Sequence, residues 1–532
     1  MTQNDPAHQR TIHQLLKQKI KERGDREFFH FRDQVYTYGD LDHRSDRVAA
    51  GFQSLGAVKG DKVAIVMGNR PEFLDTWFGL VKLGAIEVPI NIFHRGAILE
   101  YMLDRSDSRF AVVEAPFLPQ LAEVLAGLPK LEKIIVLAEP GAAPPRVDRP
   151  VLSYEVLTDN DGGFEPVEVI WSDPFMISFT SGTTGPSKGS LMPHNYAVFM
   201  AELVSRFVEY TEKDCLYNAL PLFHGNAQLL STMPALMSGA RLVLAERFSA
   251  GAFWDEVRRY NCTAFNYIGI ILPILLAAEP KPDDADNPLR VFVGGGCPPD
   301  VFDLVEKRFG VTIIEGYGLS ELGLPLGNSF RDRRKGTIGR VTPGYQVRVV
   351  DDLGQEVGPG VAGELLVRVD QLYSMMLEYY RMPQETVETW RDLWFHTGDY
   401  VVKDEAGWYR FVDRKKDALR RRGENISSYE VEKIINGHPA VAQCAAIAAR
   451  SELSEDEVMV CVVLKHGQGL EPEELLDYCG RHMAYFMVPR YVRFMARLPQ
   501  TATLRVQKVL LRREGVTADT WDREKAGYQV KR

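Results

Sequence analysis

The run TSGTTGPSKG, from Thr180 to Gly189, joins flexible and hydroxylated residues to a single lysine. Gly182, Gly185 and Gly189 let the main chain approach an anion closely, and Thr180, Ser181, Thr183, Thr184 and Ser187 add hydroxyl donors to the backbone amides. Lys188 supplies a mobile positive charge. Such a loop suits a polyphosphate and points to ATP. It is not the standard P-loop, in which a glycine precedes the lysine and Ser or Thr follows it; here Ser187 precedes Lys188 and Gly189 follows. Composition alone favours an ordinary solvent-facing loop with no ligand, so the rest of the chain has to decide.

Four further segments do so: EGYGLSE from Glu315, directly after the apolar VTII; WFHTGD from Trp394; DRKKDALRRRGENIS from Asp413; and LPQTATLRVQK from Leu498. In this order and at these separations the motifs resemble the adenylate-forming superfamily of acyl-CoA synthetases, luciferase-type enzymes and peptide-synthetase adenylation domains. The resemblance runs from Thr37 to Arg512. Within the superfamily the chain looks most like the crotonobetaine/carnitine-CoA ligase group, through PLFHGNAQ at Pro221, FSAGAFWDEVRRY at Phe248 and RRRGENISSYEVE at Arg420.

The resemblance implies an ATP-dependent acyl-CoA ligase, with ATP, Mg2+ and coenzyme A as co-substrates and a small carboxylic acid as the group activated. It places the loop Thr180 to Gly189 on the β- and γ-phosphates and Glu321 on the Mg2+ that bridges them, where a hard cation wants carboxylate and phosphate oxygen together. Without the other motifs, Ser320 and Glu321 read as the N-cap and first-turn acid of a helix. Gly294, Gly295, Gly296 and Cys297, with Glu315, Gly316, Tyr317 and Gly318, are implied to form the adenine slot, missing side chains admitting a flat ring and an aromatic face covering it. Asp399 falls to the ribose hydroxyls, and Arg414 joins it on ribose or phosphate.

His224 is implied to stand beside the reacting carboxylate, although a lone histidine between apolar neighbours is more often a satisfied core residue. Asn226, Gln228, Tyr267, Leu319, Leu322 and Leu324 are its expected neighbours in the acyl pocket. Their mixed polarity suits a short, branched or ring-bearing acid better than a long fatty chain. The basic run around Lys416 and Arg422, ordinarily just a solvated face, is implied to be a hinge about which a small domain rotates after adenylation. Gly423 would line the pantetheine tunnel beside Glu424, and the positive charge would serve the phosphates of coenzyme A.

One position departs from the family pattern, which carries Gly-Lys near the C-terminus; here Leu504 and Arg505 stand there. A planar guanidinium does not replace a compact ammonium conservatively in a tight site. Three readings stay open: Arg505 acts with altered geometry, Lys508 reaches in instead, or adenylation is crippled. The first is favoured because the remaining motifs are intact.

Positioning these residues requires an α/β scaffold. KVAIVM at Lys62, PEFLDTWFGLVKLG from Pro71 and AIEVPI at Ala85 form a β-α-β rhythm, with Phe73, Trp77 and Leu80 on one helical face, Pro71 in the first turn and Gly84 as C-cap. Strand patterns recur at ARLVLAE, RVFVGGG and VTIIEGYG; the last two open into glycine loops, at the edge where open α/β sheets collect ligands. The expected organisation is a large N-terminal domain of βαβ-type sheets over 1–412, with a β-rich subdomain over 337–412, a hinge at 413–417 and a small mobile α+β domain over 418–532. The 532 residues carry 63 basic and 72 acidic side chains, a net charge of −9, so no broad electrostatic footprint for nucleic acid is expected. The six cysteines are spaced unlike metal ligands and suggest free thiols in a reducing compartment, and no apolar run is long enough for a membrane span. These features indicate a cytoplasmic enzyme; assembly into a homodimer stays open.

Overall fold

The computed structural model describes residues 10–138, 147, 149–179, 187–269, 271–297, 299–414, 419–421, 424–426, 428–450, 456–483, 487–500 and 506–529. Of the positions singled out above, Thr180 to Gly185, Lys416, Arg422, Gly423, Leu504 and Arg505 lie outside these, and for Arg414 and Glu424 only the backbone is described. The fold is mixed α/β. The chain divides into two compact units, one comprising Met1–Thr180, Ser187–Val347 and Val367–Phe395, the other taking Arg348–Leu366 and His396–Arg532.

The larger unit is built on two sheets. The first has eight strands in the order Glu378–Tyr379, Gly189–Pro193, Pro174–Phe179, Ile86–Pro89, Lys62–Val66, Ser108–Glu114, Lys133–Leu137 and Val151–Ser153. Its interior neighbours run parallel, and antiparallel pairing occurs only where Gly189–Pro193 meets Pro174–Phe179 and Glu378–Tyr379. Continuous apolar runs such as KVAIV are what a sheet covered on both faces demands. Val63 and Ile65 enter one core while Ala64 and Val66 enter another on the opposite face. The second sheet has nine strands around a parallel centre of Thr312–Leu319, Val291–Gly295, Ala264–Ile268, Cys215–Asn218 and Arg241–Leu244. Phe265 and Phe292 from this sheet share the first core with Val63 and Ile65.

The helix Pro71–Leu83 forms as its signals require, with proline in the first turn and Gly84 closing it at φ 64°. Its burial is wider than one amphipathic face: every residue except Glu72 is buried, because the helix runs between layers. Its charged members therefore have partners. Lys82 meets Asp42 and Asp46 at 2.6 Å each, and Asp75 takes the Arg44 guanidinium at 3.0 Å.

The smaller unit contains the C-terminal sheet Val441–Arg450, Asp456–Leu464, Tyr491–Phe494 and Trp521–Asp522, with helices Ser428–Asn436 and Pro472–His482 sharing its core. The alternating strands expected after residue 337 form a four-stranded sheet, Tyr345–Val350, Ala362–Val369, Phe395–Lys403 and Tyr409–Arg414. Among the described residues no helix is long and apolar enough to cross a membrane.

Gly51, inside the helix Tyr38–Ser54, has the Leu157 backbone against it: a Cβ there would lie 2.4 Å from the Leu157 Cα. Gly51→Ala is expected to lower the urea midpoint by the equivalent of about 1–3 kcal/mol without changing the slope. Gly251→Ala, where a Cβ meets nothing within 4 Å, should leave the midpoint unchanged.

Candidate active site

In the larger unit the strand Gly189–Pro193 begins directly after Lys188, so its pairing fixes where the glycine loop ends. The Lys188 ammonium lies over the ring of Tyr379, 4.6 Å from its centroid. The Tyr379 hydroxyl donates to Glu321 Oε1 at 2.8 Å. Burial, then the Glu321 charge, raises the Tyr379 phenol well above its ordinary range, so it stays a donor. Lys188 and Glu321, distant in sequence, thus share one side chain.

Glu321 does not start a helix. Ser320 and Glu321 occupy the tight connection between the antiparallel strands Thr312–Leu319 and Gly323–Gly327, with Leu319 opposite Gly323. The N-cap expectation fails because Gly323, at φ 81°, reverses the chain, and a Cβ on Gly318 would come 2.0 Å from the Gly323 carbonyl oxygen. The turn is held from three sides. Tyr196 donates to the Ser320 carbonyl at 2.8 Å, Tyr345 to the Leu322 carbonyl at 2.6 Å, and the Met376 amide to the Glu321 carbonyl at 2.9 Å.

The glycine-rich strand ends lie side by side, with Gly294 between Tyr267 and Glu315 in the ladder. A Cβ on Gly294 would lie 2.2 Å from the Tyr267 carbonyl oxygen, so the missing side chain at that position admits the neighbouring strand and not a ligand ring. Gly295 faces the Gly316 carbonyl, and of the three only Gly296, at φ 80°, would make no tight contact with a Cβ, its nearest neighbour being the Gly269 Cα at 3.9 Å. Glu315 Oε1 accepts the Cys297 amide at 2.7 Å, and the Glu315 carbonyl takes Asn328 Nδ2 at 2.9 Å. Glu315 therefore ties the loop after Val291–Gly295 to the next strand. Burial pushes its carboxyl up to about 7, against the lowering effect of the Cys297 amide. Tyr317 is buried beside it in sequence.

His224 is half-buried, edge-on to Phe223 with centroids 4.8 Å apart. Asn226 and Leu319 also keep partial exposure, Asn226 accepting from Asn266 Nδ2 at 2.5 Å. Of the other expected pocket residues, Gln228, Tyr267 and Leu322 are fully buried core, and Leu324 is partly buried. Gln228 lies in a π-helical segment, Gln228–Thr232, and donates to the Leu222 carbonyl at 2.8 Å, which shapes the turn carrying His224. Its second contact is Glu87, 3.4 Å away, whose complete burial raises its carboxyl well above the usual range. Asn69 clamps the same turn from below, accepting from the Leu222 amide at 2.7 Å and donating to the Leu220 carbonyl at 3.0 Å.

In the smaller unit Asp399 sits directly opposite Arg414 in the ladder of Phe395–Lys403 with Tyr409–Arg414, so two expected ribose groups are register partners. The Thr-Gly-Asp triplet lies within the strand, with Thr397 bonded to the Leu365 carbonyl at 2.7 Å and Gly398 at φ 67°. Lys508 opens the helix Lys508–Glu514 and meets Glu432 at 2.7 Å and Ser428 Oγ at 2.6 Å; Ser428 in turn donates to Asp413. Glu432 is raised by burial and lowered in part by this ammonium.

The model of the AMP-binding enzyme family matches residues 16–380, and that of the AMP-binding enzyme C-terminal domain matches residues 430–504. The chain belongs to the AMP-binding enzymes. It is an adenylate-forming ligase of the acyl-CoA ligase type. A crotonobetaine/carnitine–CoA ligase of Salmonella heidelberg (strain SL476) is 32% identical over 483 residues, covering 89% of this chain and 92% of that protein. The crystal structure of an anthranilate CoA ligase in complex with anthranoyl-AMP superposes with a TM-score of 0.86 at 26% identity, covering 96% of this chain and 97% of the other. A benzoate CoA ligase from Burkholderia xenovorans LB400, at 22% identity, TM-score 0.82 and coverage of 94% and 99%, shares the fold.

Tyr379, Glu87 and Asn69 escape a sequence reading of this adenylate-forming chain. LEYYRMPQET around Tyr379 carries no spacing that marks chemistry, and Glu87 is an isolated acid in the apolar AIEVPI. The raised Glu315 carboxyl has a measurable consequence. The unfolded chain releases this proton near pH 4.3 and the folded chain near 7, so stability falls as pH rises across that window, by on the order of 3 kcal/mol at full effect. Glu315→Gln should flatten the decline in unfolding free energy between pH 5 and pH 7.5; an unchanged pH profile would refute the assignment.

Proposed function

We propose that this ligase joins a small carboxylic acid to coenzyme A, consuming ATP and releasing AMP and pyrophosphate through an acyl-adenylate. The observation that carries the reading is the convergence of Lys188 and Glu321 on Tyr379, which supplies a cation for phosphate and a carboxylate for a hard metal ion at the exit of the glycine loop. Family membership adds the small C-terminal domain such chemistry uses.

In this reading two anions meet and a third leaves, so charge stabilisation is the main task. The loop Thr180 to Gly189 cradles the β- and γ-phosphates, with Lys188 neutralising them. Among the described residues no three His, Cys, Asp or Glu side chains converge as a metal site. Mg2+ is commonly held by one or two carboxylates plus substrate phosphates, and Glu321 is the carboxylate proposed for it here. When bound, the ion neutralises charge on the phosphates. Asp399 accepts the ribose hydroxyls with Arg414 beside it, Gly295 to Cys297 and Gly316 to Gly318 border the base, and His224 with Asn226 and Leu319 faces the acid. Arg505 bridges carboxylate and α-phosphate. Lys508 is the weaker candidate, because Glu432 and Ser428 already engage it. After adenylation the domain beyond 413–417 turns about Lys416, bringing Arg422, Gly423 and Glu424 to coenzyme A. The six buried cysteines, none of them in a disulfide, suit a cytoplasmic setting.

A pyrophosphate-release assay over carnitine, crotonobetaine, benzoate, anthranilate and short aliphatic acids, with and without coenzyme A, tests the reading. Thioester formation with one or more acids is expected. Release with transfer to a carrier thiol or an amine would replace coenzyme A as acceptor, and silence throughout would make the chain a nucleotide sensor. Glu321→Gln should slow adenylation about 100-fold or more. Arg505→Ala should abolish pyrophosphate release yet leave thioester formation from supplied acyl-adenylate largely intact; equal loss in both steps would refute its role.

A further inference from the structure

We infer that Tyr379 is a positioning residue of the nucleotide site, its hydroxyl orienting Glu321 toward metal-bound phosphate and its ring orienting Lys188, before ATP arrives. The inference deepens the ligase reading and rests on it.

Tyr379 is itself held rigidly. It pairs with Ser190 in the short ladder Glu378–Tyr379 against Gly189–Pro193, where the Leu377 amide donates to the Leu191 carbonyl and the Tyr380 amide to the Gly189 carbonyl, each at 2.8 Å. Its own amide donates to Thr386 Oγ1 at 3.0 Å and its carbonyl accepts the Met382 amide at 2.9 Å. The residue is 4% exposed. The ladder that seats Tyr379 is therefore the one that anchors the end of the phosphate loop.

A lysine and a glutamate lose rotamer freedom when they close on a ligand, and that loss is subtracted from affinity unless the fold has already imposed it. Tyr379 imposes it on both, by separable means. The hydroxyl reaches Glu321 at 2.8 Å, while the ring carries the Lys188 ammonium at 4.6 Å from its centroid. Phenylalanine keeps the second contact and deletes the first; leucine deletes both.

Calorimetric titration of the full chain with ATP in excess Mg2+, and with ATP in EDTA, reads the two contacts apart. In Tyr379→Phe the gain in affinity that Mg2+ confers should shrink about tenfold, as for loss of a hydrogen bond to a charged group, with ATP in EDTA bound as by wild type. In Tyr379→Leu the EDTA affinity should also fall, by about threefold or more. The acid's KM should stay within about twofold in the Phe variant, since tyrosine acts only through Glu321 and Lys188. A Phe variant with the wild-type Mg2+ gain overturns the inference, as does one that weakens acid, free ATP and melting temperature together, which marks a purely structural role. A wild-type chain that binds neither form of ATP overturns the nucleotide reading and this inference with it.

Discussion

Backbone meets backbone at the carboxyl edge of the second sheet, and the rest of the site depends on that closeness. A Cβ on Gly269 would lie 2.1 Å from the Gly296 carbonyl oxygen, one on Gly294 2.2 Å from that of Tyr267, and one on Gly318 2.0 Å from that of Gly323. With side chains at these positions the strand ends would splay, the amide of Cys297 would leave Glu315, and the turn holding Glu321 could not close. The glycines thus act by letting protein approach protein; Gly296, whose Cβ would meet only the Gly269 Cα at 3.9 Å, is the exception.

On that frame the charged groups are distributed so that each has a defined neighbour before any ligand binds. Glu321 is met by a tyrosine hydroxyl, Lys188 by the same tyrosine's ring, and Glu315 by a backbone amide. Such preorganisation is how a protein stabilises developing charge without reorganising at the moment of reaction. The turn bearing His224 is held on the same principle, with the buried Gln228 and Asn69 bonding its backbone and the buried Glu87 contacting Gln228.

Local signals carried much of the fold. Apolar runs such as KVAIV became parallel strands because a sheet covered on both faces needs no alternation, and Pro71 and Gly84 bounded their helix through fixed φ and a left-handed cap. Where locality failed, packing decided. Ser320 and Glu321 look like a helix start, yet Gly323 and the pairing with Gly323–Gly327 turn them into a hairpin connection. Gln228, Tyr267 and Leu322 are chemically suited to a pocket, yet the layers that cover them make them core.

By itself the sequence determined the α/β class, the order of the motifs and the identity of the groups fit for nucleotide chemistry, because hydrophobic period, turn residues and charge are properties of neighbours along the chain. Only the tertiary structure decided which of those groups share a neighbour. Tyr379 meets Glu321 and Lys188 because a two-residue edge strand pairs with Gly189–Pro193, and Asp399 faces Arg414 because of ladder register. Register and edge pairing are set by the sum of distant packing, in which no single local segment carries enough free energy to be read in advance.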